Sequence, residues 1–333
     1  MKAVFLCNFV DKFPKVYNDR TIAAISDKAE AMQGLFTEKD LIDSPEKFSD
    51  VEVIFSTWGM PVLTEEQVRR YLPKLKCIFY AAGSVQAFAR PYMACGVRIF
   101  SGWSVNAVPV AEVAVAQIIL ANKGYFLSSR LYHDKGNTAA TKAFEKCCGN
   151  FDENVGLIGA GMIGSLVAKM LKAYDLNVLV FDPFLSDERA QALGVKRCSL
   201  EELFSSCAVV SNHLADNEQT RGMLDYSLFK LMRENGVFIN TGRGAQVVEP
   251  DLVRILTERE DLTALLDVTH PEPCEEGHPF YTLRNCLLTP HIAGCSGKEM
   301  YRLGRFMSEE FERFLKNEHC SSEVTAEMLK TMA

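Results

Sequence analysis

Arg243, Glu272 and His291 could do chemistry together, because each closely follows an apolar run of the kind that forms a buried strand. The carboxyl ends of parallel strands meet at one edge of an open sheet, where such sheets bind their ligands. An arginine there can bind a carboxylate bidentately and polarise a neighbouring keto oxygen. A histidine can give that oxygen a proton or take one back, and a carboxylate on the other ring nitrogen favours imidazolium and orients the ring. The three residues predict hydride transfer between a 2-oxo acid and a 2-hydroxy acid.

Each of the three residues also has an ordinary structural explanation. Arg243 lies between two glycines and could be a turn residue in a surface ion pair. Glu272 lies between Pro271 and Pro273 and could be a solvated loop charge, while His291 could be a hydrogen-bonded structural histidine. All three explanations would have to hold together, whereas the hydride-transfer hypothesis accounts for the three residues and their shared edge.

A glycine-rich turn between a predicted strand and a predicted helix indicates the hydride carrier. Gly159 permits the tight turn, Gly161 lets the backbone approach a pyrophosphate, and Gly164 lets the helix pack closely on the strand. The helix starts with Met162 and Ile163, and its unpaired amides and positive end would face the phosphates. A turn that packs tightly and binds nothing is the alternative, but the strand–turn–helix context favours a dinucleotide site.

Asp182 ends the next predicted strand and predicts which dinucleotide is bound. Its carboxylate would accept hydrogen bonds from the adenosine ribose hydroxyls, and its charge would repel a 2′-phosphate. The sequence therefore favours NAD over NADP.

Alternating apolar runs and helical patterns predict an α/β fold with parallel sheets and helices on their faces. A first series has apolar runs at 3–6, 51–55, 77–80 and 97–100, with helical patterns that include 21–32 and 64–71. A long apolar helix at 110–123 and a polar segment up to residue 150 follow. A second series has strands at 155–158, 178–181, 209–212, 237–240, 262–266 and 286–288, and a helix at 298–315 comes after it. Six strands with helices between them is the count of a dinucleotide-binding fold.

Size and charge limit the class of protein. A length of 333 residues suits two domains, and a net charge of −7 argues against a nucleic-acid partner. The N-terminal apolar run is too short for a signal peptide. The longest apolar stretch, 105–121, is interrupted by Pro109, Glu112 and Gln117, so no membrane span is predicted. We expect a cytoplasmic enzyme that interacts with neither nucleic acid nor membrane.

The eleven cysteines are scattered and form no C-x-x-C motif, so they are expected to be reduced thiols of a cytosolic enzyme. The adjacent Cys147 and Cys148 could be redox-active, although loop thiols without a role are the more ordinary interpretation. His270, Cys274 and His278 have a spacing that a metal could use, but no second ligand cluster accompanies them. No metal is expected.

The sequence resembles the D-isomer-specific 2-hydroxyacid dehydrogenase family, which includes phosphoglycerate, glycerate, D-lactate and formate dehydrogenases. The resemblance is good over residues 75–300 and holds only in outline over the first 70. It rests on Gly159-x-Gly161-x-x-Gly164, Asn240-Thr-Gly-Arg-Gly244, Asp267-Val-x-x-x-Glu272-Pro and Thr289-Pro-His-Ile-Ala-Gly294.

The resemblance implies roles for individual residues. The family's catalytic arginine, glutamate and histidine match Arg243, Glu272 and His291. The implied cofactor contacts are Val110, Asp182, His213, Thr241 and Asp267, the last beside the nicotinamide amide. The loop Ala82-Gly83-Ser84 matches the one whose backbone amides grip the substrate carboxylate. Trp58 could stack over the substrate or equally be a core residue.

The family architecture implies two doubly wound parallel-sheet domains, with a Rossmann cofactor domain inserted into a flavodoxin-like substrate domain. The substrate domain is expected at 1–104 and 296–333, and the NAD-binding domain at 105–295. In the family a cleft between the domains closes over the ligands, and the chain forms a homodimer to which the helix at 110–123 would contribute. The implied partner is a small anionic 2-oxo or 2-hydroxy acid.

Departures from the family pattern leave the subfamily open. Ala215 stands where a proline is common, and Cys295-Ser296 replaces a run of small residues after the histidine. An NAD(H)-sensing protein like the family's transcriptional corepressors is the main alternative, since such proteins can keep all three catalytic groups. Hydride abstraction from formate or phosphite is a closer alternative, but formate enzymes carry glutamine at the Glu272 position.

Overall fold

The computed structural model describes residues 1–330. The chain divides into two compact units: unit 1 comprises residues 1–107 and the chain from Cys295 onward, and unit 2 comprises residues 108–294. Each unit is built on its own sheet.

The strands and helices alternate along most of the chain. The strands are β1 (Lys2–Leu6), β2 (Glu30–Phe36), β3 (Val53–Ser56), β4 (Cys77–Tyr80), β5 (Arg98–Ser101), β6 (Phe151–Ile158), β7 (Asp175–Phe181), β8 (Lys196–Arg197), β9 (Val209–Asn212), β10 (Val237–Asn240), β11 (Thr263–Leu266), β12 (Cys286–Leu288) and β13 (Glu323–Val324). The α-helices are α1 (Phe13–Val16), α2 (Asp19–Ser26), α3 (Glu38–Asp43), α4 (Glu65–Tyr71), α5 (Ala89–Ala94), α6 (Trp103–Asn122), α7 (Tyr125–Lys135), α8 (Asn137–Phe144), α9 (Met162–Leu171), α10 (Asp187–Leu193), α11 (Leu200–Ser206), α12 (Tyr226–Phe229), α13 (Glu249–Glu258) and α14 (Met300–Leu315).

Unit 1 has the strand order β13-β5-β4-β3-β1-β2. The pairs among β1 to β5 are parallel, and β13 joins β5 in antiparallel register. Alternate residues of β3 serve opposite faces: Ile54 belongs to one buried apolar cluster, and Val53 and Phe55 belong to the other. The order 2-1-3-4-5 of the first five strands is that of flavodoxin-like folds.

Unit 2 has an all-parallel sheet in the order β12-β11-β10-β9-β6-β7-β8. If β6 to β11 are numbered 1 to 6 along the chain, their order in the sheet is 3-2-1-4-5-6, which is the Rossmann order. β12 is added beside β11. Asn240 of β10 is in register with Asn212 of β9 and Leu266 of β11. These strands therefore end level, and the loops after them share one edge of the sheet.

The structure confirms the predicted α/β class and corrects several element boundaries. Strands β4, β9, β10 and β12 have the predicted limits. The predicted helix at 21–32 is wrong at its end, because α2 stops at Ser26 and residues 30–36 form β2. None of the β2 residues is fully buried, so this edge strand lacks the apolar run that marks the others. The polar segment before residue 150 forms α7 and α8, which were not predicted.

Helix α6 is long and apolar enough to cross a membrane by length and composition alone. The interruptions at Pro109, Glu112 and Gln117 do not break it. Its residues Ala111 and Ile118 are buried in the core of unit 2, and core helices of soluble proteins pass the same test. The helix is thus weak support for a membrane span.

Candidate active site

Three adjacent strands of unit 2 carry the residues singled out for chemistry. Arg243 follows β10, Glu272 follows β11 and His291 follows β12, all beyond the carboxyl ends of the strands. The sheet thus brings the three loops to one edge, as the strand positions predicted.

His291 and Glu272 are in direct contact. Nδ1 of His291 lies 2.6 Å from Oε1 of Glu272, and both side chains are exposed. A carboxylate at this distance can accept a hydrogen bond from Nδ1–H and fix the ring orientation. Within residues 1–330, the other ring nitrogen, Nε2, has no hydrogen-bond partner.

The loop that carries His291 is held by Asp267, which is only 4% exposed. Oδ1 of Asp267 accepts hydrogen bonds from Thr289 Oγ1 (2.6 Å) and from the Ile292 amide (2.8 Å). Oδ2 accepts the Ala293 amide at 2.9 Å, and the backbone oxygen of Asp267 accepts the His291 amide at 3.0 Å. One buried carboxylate therefore fixes the loop on both sides of His291.

His291 has a left-handed backbone conformation, with φ of 53°. This region is uncommon for residues other than glycine and usually needs support from its surroundings. The bonds to Asp267 supply that support here. The family resemblance assigns Asp267 to the nicotinamide amide, and that role stays a prediction, since both carboxylate oxygens already accept bonds from the loop.

The loop that carries Glu272 is tied to helix α13. Glu249, in the first turn of α13, accepts a hydrogen bond from the His270 amide at 2.8 Å. Thr269 Oγ1 donates to the Pro271 carbonyl at 2.9 Å. Glu249 is largely buried, and burial raises the pKa of its carboxyl group.

Two glycines flank Arg243 because neighbouring atoms leave no room for side chains. A Cβ on Gly242 would lie 2.9 Å from Oε1 of Gln246, and one on Gly244 would collide with the Thr269 backbone. The Arg243 side chain is half-buried and donates from Nη1 to the Gly242 carbonyl at 2.8 Å. Gly244 thus lets the Arg243 loop lie against the loop that follows β11, and Gly242 lets it lie against Gln246.

The glycine-rich turn after β6 fits a dinucleotide pyrophosphate. Apart from the residues adjoining Gly161, no atom of residues 1–330 lies within 4 Å of a Cβ built on it, so the backbone there is open to a ligand. Gly159 has φ of 93°, and a Cβ on it would lie 3.1 Å from the His213 carbonyl. A Cβ on Gly164 would collide with the Gly159 carbonyl. Gly159 and Gly164 are thus packed against protein atoms, whereas Gly161, directly before α9, is open.

Asp182 lies at the end of β7, beside the glycine turn. Its Oδ2 accepts the Ala160 amide at 2.7 Å, and its Oδ1 accepts the Phe184 amide at 2.8 Å. Arg189, which the sequence did not single out, donates to the Ala160 carbonyl at 2.5 Å and to Ser165 Oγ at 3.0 Å. Backbone and side-chain contacts thus hold the turn from two sides.

His213 is buried after β9, between two hydroxyl groups. Its Nε2 lies 3.0 Å from Ser211 Oγ, and its Nδ1 lies 3.4 Å from Thr241 Oγ1. Burial lowers the pKa of His213 to about 4, so the imidazole is neutral at physiological pH. Val110 is buried in α6, while Met162 is exposed and Ile163 partly buried at the start of α9.

In unit 1, the loop Ala82-Gly83-Ser84 follows β4. The carbonyls of Ala82 and Gly83 accept hydrogen bonds from Ser101 Oγ at 3.0 and 2.6 Å. Within residues 1–330, no acceptor is found for the amides of Gly83 and Ser84. Trp58 follows β3, is half-buried and packs against both apolar clusters of the unit.

No group of three or more His, Cys, Asp or Glu side chains among residues 1–330 is arranged to hold a metal ion. None of the eleven cysteines, all of which lie within residues 1–330, forms a disulfide bond. Cys147 Sγ lies 3.4 Å from the Ala143 carbonyl and Cys148 Sγ 3.6 Å from the Asn122 carbonyl. Burial raises the pKa of both thiols, which disfavours the reactive thiolate.

Comparisons with known proteins match this geometry to a family. The model of the "D-isomer specific 2-hydroxyacid dehydrogenase, NAD binding domain" matches residues 118–293. YoaD of Bacillus subtilis (strain 168), whose name describes a provisional 2-hydroxyacid dehydrogenase, is 34% identical over 205 residues, covering 60% of this chain and 59% of that protein. D-3-phosphoglycerate dehydrogenase of Mycobacterium bovis is 27% identical over 305 residues, covering 90% of this chain and 55% of that protein. The chain thus spans little more than half the length of these relatives.

A solved structure shares the fold. The apo form of D-mandelate dehydrogenase from Rhodotorula graminis has a TM-score of 0.80 at 19% identity, covering 97% of this chain and 98% of that one. The family model covers more than half of the 333 residues and lies within unit 2. The chain therefore belongs to the D-isomer specific 2-hydroxyacid dehydrogenase family, and residues 118–293 are its NAD-binding domain.

Proposed function

We propose that this protein is an NAD-dependent dehydrogenase or reductase that interconverts a small D-2-hydroxy acid and its 2-oxo acid. The observation that carries the proposal is the 2.6 Å contact between His291 and Glu272, at the sheet edge that also holds Arg243. The glycine turn after β6, at the same edge, suits NAD, which supplies or accepts the hydride when bound. NAD is favoured over NADP because Asp182 presents a negative charge beside that turn.

Each of the three residues has one task in this proposal. Arg243 binds the substrate carboxylate with its forked guanidinium. In the reductive direction, His291 donates the proton on Nε2 to the keto oxygen, and in the oxidative direction it takes the hydroxyl proton. Glu272 accepts the hydrogen bond from Nδ1–H and stabilises the imidazolium form before the proton is given away.

Other residues would hold the ligands in place. The amides of Gly83 and Ser84 are free to donate hydrogen bonds to the substrate carboxylate, and Trp58 provides an aromatic surface after the neighbouring strand. Asp182, His213, Thr241, Asp267 and Val110 are the proposed cofactor contacts, together with the start of α9. The free thiols are in keeping with a cytoplasmic enzyme.

A homodimer is part of the same proposal. Large apolar side chains remain exposed along α6, α7 and α8 of unit 2, namely Leu120, Tyr125, Tyr132 and Phe144. Exposed apolar side chains on three consecutive helices favour an interface, and a second copy of this chain is the proposed occupant. Analytical ultracentrifugation of the wild type and of Leu120→Lys tests this. The wild type should sediment as a dimer, and the variant should dissociate into monomers at a higher protein concentration than the wild type does.

The activity is tested with NADH and a panel of glyoxylate, hydroxypyruvate, pyruvate and bulkier 2-oxo acids. We expect NADH oxidation with at least one of them. Replacing His291 with Ala should lower kcat by about 100- to 10,000-fold, the usual contribution of a general acid. NADH binding, followed by fluorescence titration, should stay nearly unchanged in this variant.

Two controls make the test specific. His133→Ala removes an exposed histidine on α7 and should leave kcat unchanged. A bulky substitution at Gly161 should abolish NADH binding, because the open backbone at that position is where the pyrophosphate must approach. Equal turnover by wild type and His291→Ala would refute the proposed role of His291. Tight NADH binding without turnover on any substrate would favour a nucleotide-sensing protein instead.

A further inference from the structure

Gln246 is a buried amide at the candidate site to which neither the family motifs nor the proposed chemistry gives a role. It ends the short 3-10 turn Gly244–Gln246 after β10, and its exposed fraction is 0%. A fully buried amide needs hydrogen-bond partners, because leaving it unsatisfied costs free energy.

The Gln246 side chain joins two loops at the sheet edge. Its Oε1 accepts hydrogen bonds from the Arg243 amide at 3.2 Å and from Asn212 Nδ2 at 2.5 Å. Its Nε2 donates to the Leu214 carbonyl at 2.8 Å. One amide therefore ties the Arg243 backbone to the segment that carries His213.

Two further buried amides complete the network. Asn212 Nδ2 also donates to Asn240 Oδ1 at 3.0 Å. Asn240 in turn accepts the Gly242 amide at 3.0 Å and donates to the Arg243 carbonyl at 3.1 Å. Both backbone polar groups of Arg243 are thus held by side-chain amides, so little freedom remains to this loop.

The loop is also packed onto the amides. A Cβ on Gly242 would lie 2.9 Å from Gln246 Oε1, 3.0 Å from Asn212 Nδ2 and 3.3 Å from the Leu214 carbonyl. Loss of the Gln246 side chain would therefore remove both a packing contact of this loop and the hydrogen bond to the Arg243 amide. Bidentate binding of a carboxylate requires placement to within about 0.5 Å, so a resulting shift of the loop would be felt at the guanidinium.

We propose that Gln246 is a positioning residue, which holds Arg243 in the place from which its guanidinium binds the substrate carboxylate. The inference rests on the proposed function, since it presumes a carboxylate substrate at Arg243. Gln246 is fully buried and would touch neither the substrate nor the cofactor itself. Its effect is transmitted through the Arg243 amide and the Leu214 carbonyl.

The first test compares Gln246→Leu with a matched control. Asn285→Leu removes another buried amide that bonds to backbone carbonyls, those of Leu256 and Arg259, but it lies before β12 at the opposite edge of the sheet. We expect Gln246→Leu to raise KM for the 2-oxo acid about 10- to 100-fold, because a misplaced guanidinium weakens its charge-assisted contact with the substrate carboxylate. Asn285→Leu should lower stability comparably and change KM by less than about threefold. Equal KM changes in the two variants would overturn the inference.

The second test uses Gln246→Glu and keeps the inference falsifiable if Gln246→Leu does not fold. A protonated glutamic acid offers the same acceptor and donor as glutamine, whereas the ionised form loses the donor to the Leu214 carbonyl. Burial raises the pKa of such a carboxyl group. The variant should match the wild type in kcat/KM at low pH and fall below it as the pH rises. A ratio of variant to wild type that does not depend on pH would count against the proposal.

The two proposals fail in different ways. No turnover by the wild type on any 2-oxo acid would refute the proposed function, and this inference with it. Turnover by the wild type that is equally efficient in Gln246→Leu would refute the positioning role alone and leave the enzyme assignment intact.

Discussion

The loop that carries Arg243 and the loop that carries His291 lie at the same edge of the unit 2 sheet but are held by different chemistry. Buried amides of Asn240 and Gln246 fix the Arg243 loop, and none of these groups is charged. A buried carboxylate, Asp267, fixes the His291 loop through three hydrogen bonds to its Oδ1 and Oδ2 atoms.

The two loops should therefore respond differently to substitution. A carboxylate accepts hydrogen bonds on both oxygens, so it can gather several amides and a hydroxyl around an unusual backbone. Charge-assisted bonds of this kind are roughly twice as strong as neutral ones. The His291 loop needs that strength because His291 has a positive φ. Arg243 has an ordinary extended backbone, so its loop can be held by neutral hydrogen bonds.

Asp267→Asn alters the carboxylate that fixes the His291 loop. The amide nitrogen cannot accept a bond, so at least one of the Thr289, Ile292 and Ala293 contacts is lost and the His291 loop should relax. We expect kcat to fall about 100- to 1,000-fold, because general acid catalysis depends on the position of the imidazole. Steady-state kinetics with saturating 2-oxo acid measures this.

The same variant separates two roles for Asp267. If Asp267 positions the loop, the dissociation constant of NADH should change by less than about threefold, and kcat should carry the effect. A weakened NADH complex with kcat preserved would instead support the nicotinamide contact implied by the family. Asp261→Asn is the matched control, since Asp261 also accepts a backbone amide, that of Asn235, but before β11 at the opposite edge.

Arg243→Lys tests the uncharged side of the comparison. The amide network should stay intact, because it bonds the backbone of residue 243 and not its side chain. A lysine ammonium cannot form the fork-shaped contact with a carboxylate, so KM for the 2-oxo acid should rise about tenfold to a hundredfold. Arg221→Lys, which alters a surface ion pair with Asp216, should leave KM unchanged. An unaltered KM in Arg243→Lys would remove Arg243 from substrate binding.

The parts of this edge that the sequence predicted are those that follow short apolar strands. β9, β10 and β12 are short apolar runs followed by polar residues, so Arg243 and His291 could be placed after strands from the pattern alone. The strands β2 and β8, which lie at the sides of their sheets, gave no such signal. β2 has no fully buried residue, and β8 is two residues long, so neither forms an apolar run.

The supporting contacts could not be predicted for a different reason. Gln246 and Arg189 meet their partners across turns, and nothing in the local sequence distinguishes them from surface residues. Asn212 and Asn240 were more accessible to prediction, because an amide that ends a buried strand must find a partner. The sequence thus predicts which residues reach the edge better than it predicts what holds them there.

The smallest expected effect concerns His213, a neutral side chain buried beside the same network. Burial lowers the pKa of His213 to about 4, from an ordinary value near 6.5. The unfolded chain therefore binds a proton more readily than the folded one between these values. The contribution of His213 to stability is fully present above pH 6.5 and is lost as the pH falls toward 4.

This predicts a pH-dependent difference between wild type and His213→Gln. Between pH 7 and pH 5 the wild type should lose about 2 kcal/mol of unfolding free energy that the variant does not lose. Urea denaturation of both proteins at the two pH values measures this, and because each protein is compared with itself, the cost of lost contacts cancels. His133→Gln, at an exposed site on α7, should follow the wild type. Parallel pH dependences for wild type and His213→Gln would mean that His213 binds a proton in the folded protein as readily as in the unfolded chain, and that the site is open to water.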